Sequence, residues 1–242
     1  MSSTRRTAVA AGVFFLITEI AAIAGLVLYR PVLSDANYVA GAGADSRVLL
    51  GGFFEVILVA AVIGTAVTLY PVVKRQNQSV ALGYVCGRLL EAAVIIVGTV
   101  GVLSVVTLRQ DLAGAPGADK ASLVAVGGSL VAIHDWTFLI GPNFVLGANS
   151  LLLAHLMYRS RLVPRFIAVL GLVGGPLICA SAIAVMFGLY DQLSAWGSIA
   201  ALPVFAWEVT LAVFLILKGF KPSPVIAHDI RPAQLHAGAS AA

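Results

Sequence analysis

The fold is decided by residues 79–108, which read SVALGYVCGRLLEAAVIIVGTVGVLSVVTL. Arg88 and Glu91 are the only charged residues in this stretch, and the rest is mostly apolar. Since a helix needs about 20 mostly apolar residues to cross a bilayer, the stretch is long enough to span one. Lipid offers the backbone no hydrogen-bond partner, so such a run is helical. The sequence therefore predicts a transmembrane helix that carries two opposite charges.

Other parts of the chain show the same pattern. Apolar stretches of comparable length cover residues 7–29, 48–73, 162–190 and 193–217, and one more lies within residues 121–158. We predict an all-α fold, a polytopic membrane protein with a bundle of six transmembrane helices and short loops. Residues 1–220 form this transmembrane domain. Residues 221–242 are polar and contain prolines, so we expect a disordered cytoplasmic tail.

The composition excludes several classes of protein. Hydrophobic residues make up 60% of the 242 residues and charged residues only 11%, whereas soluble domains carry about 25% charged residues. A soluble enzyme, a disordered chain and a nucleic-acid-binding domain are therefore excluded. Cys86 and Cys179 both lie in apolar stretches, so we expect free, buried thiols rather than a disulfide.

The distribution of Lys and Arg predicts the orientation, because cytoplasmic loops of membrane proteins are enriched in these residues. With the N-terminus inside, most cations fall on the cytoplasmic side: Arg5, Arg6, Lys74, Arg75, Arg159, Arg161, Arg165, Lys218, Lys221 and Arg231. Few fall outside: Arg30, Arg47, Arg109 and Lys120. We therefore expect both termini to be cytoplasmic.

The fourth stretch is too long for a simple span. As one helix, residues 121–158 would extend about 57 Å. We expect Gly127 and Gly128 to end a first piece of it. Pro142 should kink the span and free the carbonyl of Phe138.

Ionisable and amide side chains within the predicted helices are the candidate functional residues. A charge at the bilayer centre costs about 2.5–3.5 kcal/mol, and such residues usually face the interior of a bundle. The candidate polar cluster comprises Arg88, Glu91, Glu208, Glu19, Glu55, His134, Asp135 and Asn149. At 100° per residue, Asp135, Pro142 and Asn149 are expected to share one helix face.

The charges of this cluster do not balance. Arg88 and Glu91 are three residues apart and face the same side of a helix, so they form an ion pair. We expect Arg88 to reach a second acid on another helix, either Glu208 or Glu19. The remaining carboxyl groups must be protonated, solvated or neutralised by a bound cation.

Enzymatic motifs are absent from the sequence. His134 and Asp135 are adjacent, and adjacent helical residues point about 100° apart, which argues against a direct His–Asp relay. There is no HExxH, GxGxxG, P-loop or GxSxG motif. We assign no catalytic residues, no metal site and no cofactor.

Several short segments resemble those of a bacterial membrane family, domain-of-unknown-function family 4386. They are Arg88-Leu89-Leu90-Glu91-Ala92, His134 with Leu139-Ile140-Gly141, Leu156-Met157-Tyr158-Arg159-Ser160, Leu162-Val163-Pro164-Arg165, and Glu208 before Lys218-Gly219. The resemblance covers roughly residues 7–220. It implies a six-helix bundle in the bacterial cytoplasmic membrane and marks Arg88, Glu91, His134 and Glu208. It implies no activity.

Three classes of function stay open. We favour a polar pocket that binds or translocates a small solute, with proton coupling as one form of it. The second is an intramembrane enzyme that uses a carboxyl acid or base on a lipid or isoprenoid. The third is a structural or regulatory membrane protein whose ion pairs fix helix register. The expected partners are membrane lipid and a small-molecule or lipid ligand, and no nucleic acid. The sequence predicts neither the ligand nor the oligomeric state.

Overall fold

The computed structural model describes residues 3–41, 45–112 and 119–227, and these residues form helices and turns without a β-strand. The helices are α1 (Ser3–Ser34), α2 (Ser46–Val73), α3 (Gln78–Leu112), α4 (Lys120–Leu139), a π-helix (Ile140–Val145), α5 (Leu146–Ser160), α6 (Arg165–Met186) and α7 (Ala195–Leu217). Six segments are long and apolar enough to cross a membrane, the fourth being the continuous run Lys120–Ser160. The predicted bundle of six spans is confirmed.

The helices form a ring in which neighbours in sequence are mostly neighbours in space. α1 packs on α2 and α7, α3 packs on α2, α4 and α5, and α6 packs on α5 and α7. In the described part of the chain, α4 has no extensive packing against α1, α6 or α7. In the half of the bundle remote from the N-terminus, α1 and α4 meet through side chains such as the Tyr29 and His134 rings, and their backbones stay apart.

Glycines on α6 allow its close packing against two neighbours. A Cβ atom at Gly171 would lie 2.7 Å from both Ala154 Cβ on α5 and the Trp207 ring on α7. A Cβ atom at Gly175 would lie 2.6 Å from the carbonyl oxygen of Gly147 on α5. Only small residues at these positions leave room for such crossings.

The fourth span changes its helical repeat at Pro142. Proline cannot donate to the carbonyl four residues earlier, and residues Ile140–Val145 form a π-helix. The freed carbonyl of Phe138 accepts a hydrogen bond from Asn143 Nδ2 at 3.1 Å. The expected break at Pro142 is therefore present. The break expected at Gly127 and Gly128 is not, because α4 continues through both residues.

The start of α1 and the end of α7 meet at one end of the bundle. Arg5 donates to the carbonyls of Leu215 at 2.8 Å and Ile216 at 2.6 Å, both in the last turn of α7, and Leu215 O also accepts from Gly219 N at 3.1 Å. Gly219 follows with a φ of 74°, a left-handed conformation suited to a helix C-terminus. The two ends of the spanning domain thus lie on the same side.

The first residues of the expected tail lie against the bundle instead. Lys221 N donates to Leu162 O at 2.8 Å, and the Ser223 hydroxyl donates to Ser160 O. Ile226 is buried in the main core. Residues 228–242 lie outside the described residues.

The opposite end is held by a network around Asp45, in the connection between α1 and α2. Arg109, at the end of α3, pairs with Asp45 at 2.8 Å and lies 4.5 Å from the centre of the Tyr38 ring. Asp45 also accepts hydrogen bonds from the Tyr38 hydroxyl at 2.8 Å and from Gln110 at 3.0 Å. Partial burial and then the bond to Asp45 raise the pKa of Tyr38.

Both cysteines are free thiols, as predicted. Their expected burial is wrong for Cys86, which is exposed on the surface of α3. Cys179 is partly buried on α6, and its thiol donates to Phe144 O at 3.4 Å. Helical periodicity places Cys86 on the face of α3 opposite the buried Tyr84 and Arg88.

Candidate functional site

Arg88 lies at the centre of the polar residues within the bundle and is 1% exposed. Its Nη2 atom contacts Glu208 Oε1 on α7 at 2.6 Å, and its Nη1 atom contacts both carboxylate oxygens of Glu91 at 3.2 Å. The predicted contact with an acid on another helix is confirmed, and that acid is Glu208. A guanidinium group can serve two carboxylates at once because its donors are arranged in a planar fork.

Aromatic rings and hydroxyl groups complete the surroundings of Arg88. Its Nε atom donates to the Tyr84 hydroxyl at 3.4 Å, and that hydroxyl donates to Thr65 at 3.2 Å. The Arg88 guanidinium carbon lies 5.4 Å from the centre of the Phe15 ring on α1. Arg88 therefore links α1, α2, α3 and α7, and four of its five N–H donors have partners within the protein.

Asn149 on α5 connects Glu91 to the fourth span. Its Nδ2 atom donates to Glu91 Oε2 at 2.8 Å, and the residue is 1% exposed. This contact depends on Gly87, because a Cβ atom there would clash with Asn149 Oδ1. The glycine one residue before Arg88 is thus required by the close approach of an amide side chain.

Glu19 on α1 and Glu208 on α7 line the same cavity, and their carboxyl groups interact electrostatically. Two carboxylates repel each other and have no donor, so a hydrogen bond between them needs one proton. Glu208 is already paired with Arg88. We call Arg88, Glu91, Glu208 and Glu19 the acid–arginine cluster.

Glu55 on α2 lies apart from this cluster. It faces α1 at Gly25, where a Cβ atom would clash with Glu55 Oε1. Among the described residues, no cation pairs with Glu55 and no group hydrogen-bonds to its carboxyl. Its polar neighbour is Tyr29 on α1. The carboxyl group is therefore placed within the bundle without a charged partner.

Tyr29 and His134 form the wall near Glu55. The two rings are edge to face with centres 5.8 Å apart, and His134 stacks on Phe138 with centres 5.9 Å apart. Tyr29 is 1% exposed, and no described residue forms a well-oriented hydrogen bond with its hydroxyl. The nearby Thr99 hydroxyl already donates to Ile95 O at 2.9 Å. An unpaired buried hydroxyl is unfavourable, so the Tyr29 oxygen is available to a ligand.

Asp135 lies outside the bundle, unlike the other predicted polar residues. Its side chain is 65% exposed, and its Oδ1 atom is 3.4 Å from His134 Nδ1. The two adjacent side chains thus approach each other despite their different helix directions. The expectation that Asp135 shares a face with Asn149 is wrong. The π-helix between them has more residues per turn, so it shifts the register of α5 relative to α4.

A partly open cavity of about 160 Å³ connects the acid–arginine cluster with Glu55, Tyr29 and His134. We call it the α1–α4 pocket. Its walls are largely apolar, and polar side chains occur at its base and at Glu55. The lining includes Ala22, Leu26, Leu58, Val62, Ile95, Phe138, Pro142 and Leu146, with Thr18, Thr99 and Thr137 as further polar residues. All predicted polar residues except Asp135 and Asn149 line it.

Sequence reasoning missed the hydroxyl-bearing residues of the pocket. Tyr29 ends an apolar stretch, and threonines are common in membrane helices, so neither type gives a signal of function. Glycine provided a usable signal in three places, since Gly25, Gly87 and Gly98 each face a polar side chain of another helix. No group of three or more His, Cys, Asp or Glu residues suited to a metal ion occurs in the described part of the chain.

Comparison with known proteins gives one assignment. The model of a family described as a domain of unknown function, DUF4386, matches residues 10–219. The chain belongs to this family. The match covers all six spans and both polar regions of the pocket. No curated protein and no solved structure matches the chain.

Proposed function

We propose that this DUF4386 protein binds a small amphipathic solute in the α1–α4 pocket. The observation that carries the proposal is a cavity within the bundle whose largely apolar lining includes Glu55, a carboxyl group with no paired cation among the described residues. A cluster that only fixed helix register would need no such space. A half-buried carboxyl group in apolar surroundings is unfavourable without a partner, so Glu55 is better explained by a ligand that pairs with it.

The cavity size limits the solute. A cavity of about 150 Å³ admits a molecule the size of benzene, and the pocket has about 160 Å³. The enclosed part of the solute is therefore a single ring or a short chain. Any larger part would extend between α1 and α4.

Proton exchange is part of the proposal. A hydrogen bond between the neighbouring carboxyl groups of Glu19 and Glu208 needs one proton. A solute that adds positive charge to the pocket, or donates to one of these carboxylates, would replace that proton. Binding would then release a proton, which is the elementary step of proton-coupled translocation.

We also propose that both termini face the cytoplasm of a bacterial cell and that the pocket opens in the outer half of the membrane. The support is the excess of Lys and Arg at the end of the bundle where Arg5 meets α7. Tyr29 and His134 lie toward the opposite end.

A panel of three isosteric solutes tests the binding proposal: benzylamine, benzyl alcohol and benzoate. The protein in nanodiscs should be thermally stabilised in a saturable manner by at least one of them. Ala22→Leu fills the pocket and should remove the effect, whereas Ala60→Leu, on the exposed side of α2, should retain it. If no solute acts saturably, or if both variants behave alike, the pocket is not a binding site.

Calorimetry in buffers of different ionisation enthalpy tests the proton step. The apparent binding enthalpy should depend on the buffer, because binding releases a proton. Equal enthalpies in all buffers would exclude proton exchange and leave simple solute binding.

A further inference from the structure

We infer that the pocket is selective for organic cations and that the cationic group binds between Glu55 and the Tyr29 hydroxyl. This inference rests on the proposed solute binding and names its chemical class. It would make Glu55 and Tyr29 a recognition site distinct from the acid–arginine cluster.

The first support is the charge distribution. Arg88 is held by Glu91 and Glu208, so the base of the pocket is already occupied by a cation with its counterions. Glu55 has no cation within the described residues. A positively charged ligand is therefore attracted to Glu55 and repelled by Arg88. A carboxylate ligand would meet Glu19 and Glu55 and has no free arginine to bind.

The second support is the oxygen of the Tyr29 hydroxyl, to which no described residue donates a hydrogen bond. It is buried and lines the same pocket as Glu55. The two side chains occupy adjacent turns of the α1–α2 contact, where Tyr29 packs on Gly51 and Glu55 packs on Gly25. An ammonium group has three donors and no acceptor. One N–H can donate to the Glu55 carboxylate and another to the Tyr29 oxygen, so that both groups gain a partner.

The third support is the aromatic wall. The rings of Tyr29, His134 and Phe138 are arranged around the same part of the cavity. The face of an aromatic ring attracts cations, with tyrosine and phenylalanine both suitable. An apolar group attached to the ammonium would lie along Leu58 and Ile95.

The inference is tested with the same three solutes. Benzylamine, which is cationic at neutral pH, should bind more tightly than benzyl alcohol or benzoate. Glu55→Gln, which keeps the shape of the side chain, should weaken benzylamine binding by about tenfold or more, as expected for loss of a charge-assisted hydrogen bond. Tyr29→Phe should weaken it by a smaller factor. Asp135→Asn, which removes a neighbouring carboxylate outside the pocket, should leave the affinity close to that of the wild type.

The outcomes separate the two proposals. If benzyl alcohol or benzoate binds saturably and benzylamine does not, solute binding stands and cation selectivity is overturned. If benzylamine binds but Glu55→Gln and Tyr29→Phe both retain wild-type affinity, the assigned recognition site is wrong. Each variant is first checked for monodispersity and melting temperature without solute, and Tyr29→Phe still tests the site if Glu55→Gln is unstable.

Discussion

Removal of the Arg88 side chain tests whether the acid–arginine cluster holds the helices together. Arg88 is 1% exposed, and its two carboxylate partners Glu91 and Glu208 are each 4% exposed. Arg88→Ala therefore leaves two buried acids without their cation. Loss of one partner of a buried ion pair costs about 3–5 kcal/mol.

The expected effect is large enough to measure in detergent. For a chain of this size, 1 kcal/mol shifts the melting temperature by about 2–4 °C, so Arg88→Ala should lower it by about 6–20 °C. Arg88→Ala combined with Glu208→Gln should recover part of this loss, because one orphaned charge is removed as well. Arg6→Ala, an exposed arginine at the start of α1, is the matched control and should have little effect.

Glu55 provides the opposite comparison. Because Glu55 has no charged partner among the described residues, Glu55→Gln should leave the melting temperature unchanged or raise it. The reasoning is refuted if Arg88→Ala has the same melting temperature as the wild type, or if Glu55→Gln lowers the melting temperature more than Arg88→Ala does. The acid–arginine cluster would then not be the structural centre of the bundle.

Three further predictions concern other contacts. Gly87→Ala should displace Asn149 from Glu91 and lower the melting temperature. Gly83→Ala is the control and should be neutral or stabilising, because a Cβ atom there has only an ordinary contact 3.7 Å from Leu152. Equal effects of the two changes on the melting temperature would contradict the assigned role of Gly87. Arg5→Ala should expose the carbonyls at the end of α7 and increase amide exchange in its last turn, with Arg6→Ala as the control; unchanged exchange would show that Arg5 does not stabilise this end. Reporter fusions at Lys221 and within residues 113–118 should report opposite sides of the membrane, with Lys221 inside. If both fusions report the same side, the topology is contradicted.

The six spans could be predicted because membrane insertion depends on the length and polarity of a segment, which are properties of the sequence. That Arg88 pairs with an acid on another helix could also be predicted, because a buried arginine needs partners. The sequence left Glu208 and Glu19 open, and the structure shows Glu208. The freed carbonyl of Phe138 followed directly from the chemistry of Pro142.

Side-chain direction across the fourth span could not be predicted in the same way. The prediction assumed a constant rotation of 100° per residue from Asp135 through Pro142 to Asn149. The π-helix between them has more residues per turn, so the rotation per residue is smaller there. Asp135 consequently lies outside while Asn149 reaches Glu91. The length of a π-helical segment depends on packing against neighbouring helices, which the sequence of one span does not contain.

The position of the Tyr29 hydroxyl in the pocket could not be predicted from the sequence either. A tyrosine near the end of a membrane helix is usually an interfacial residue. Its burial beside Glu55 depends on how α1, α2 and α4 are rotated against each other. In the sequence, this rotation leaves its trace at Gly25, whose lack of a side chain makes room for the Glu55 carboxyl against α1.

Electron cryomicroscopy of the protein in a nanodisc, with the solute that stabilises it most, tests the central claim most directly. The account predicts density for one solute in the α1–α4 pocket, with its polar group between Glu55 and Tyr29 and its apolar part along Leu58 and Ile95. A cavity closed by the surrounding side chains, or solute found only on the outer surface of the bundle, would contradict it.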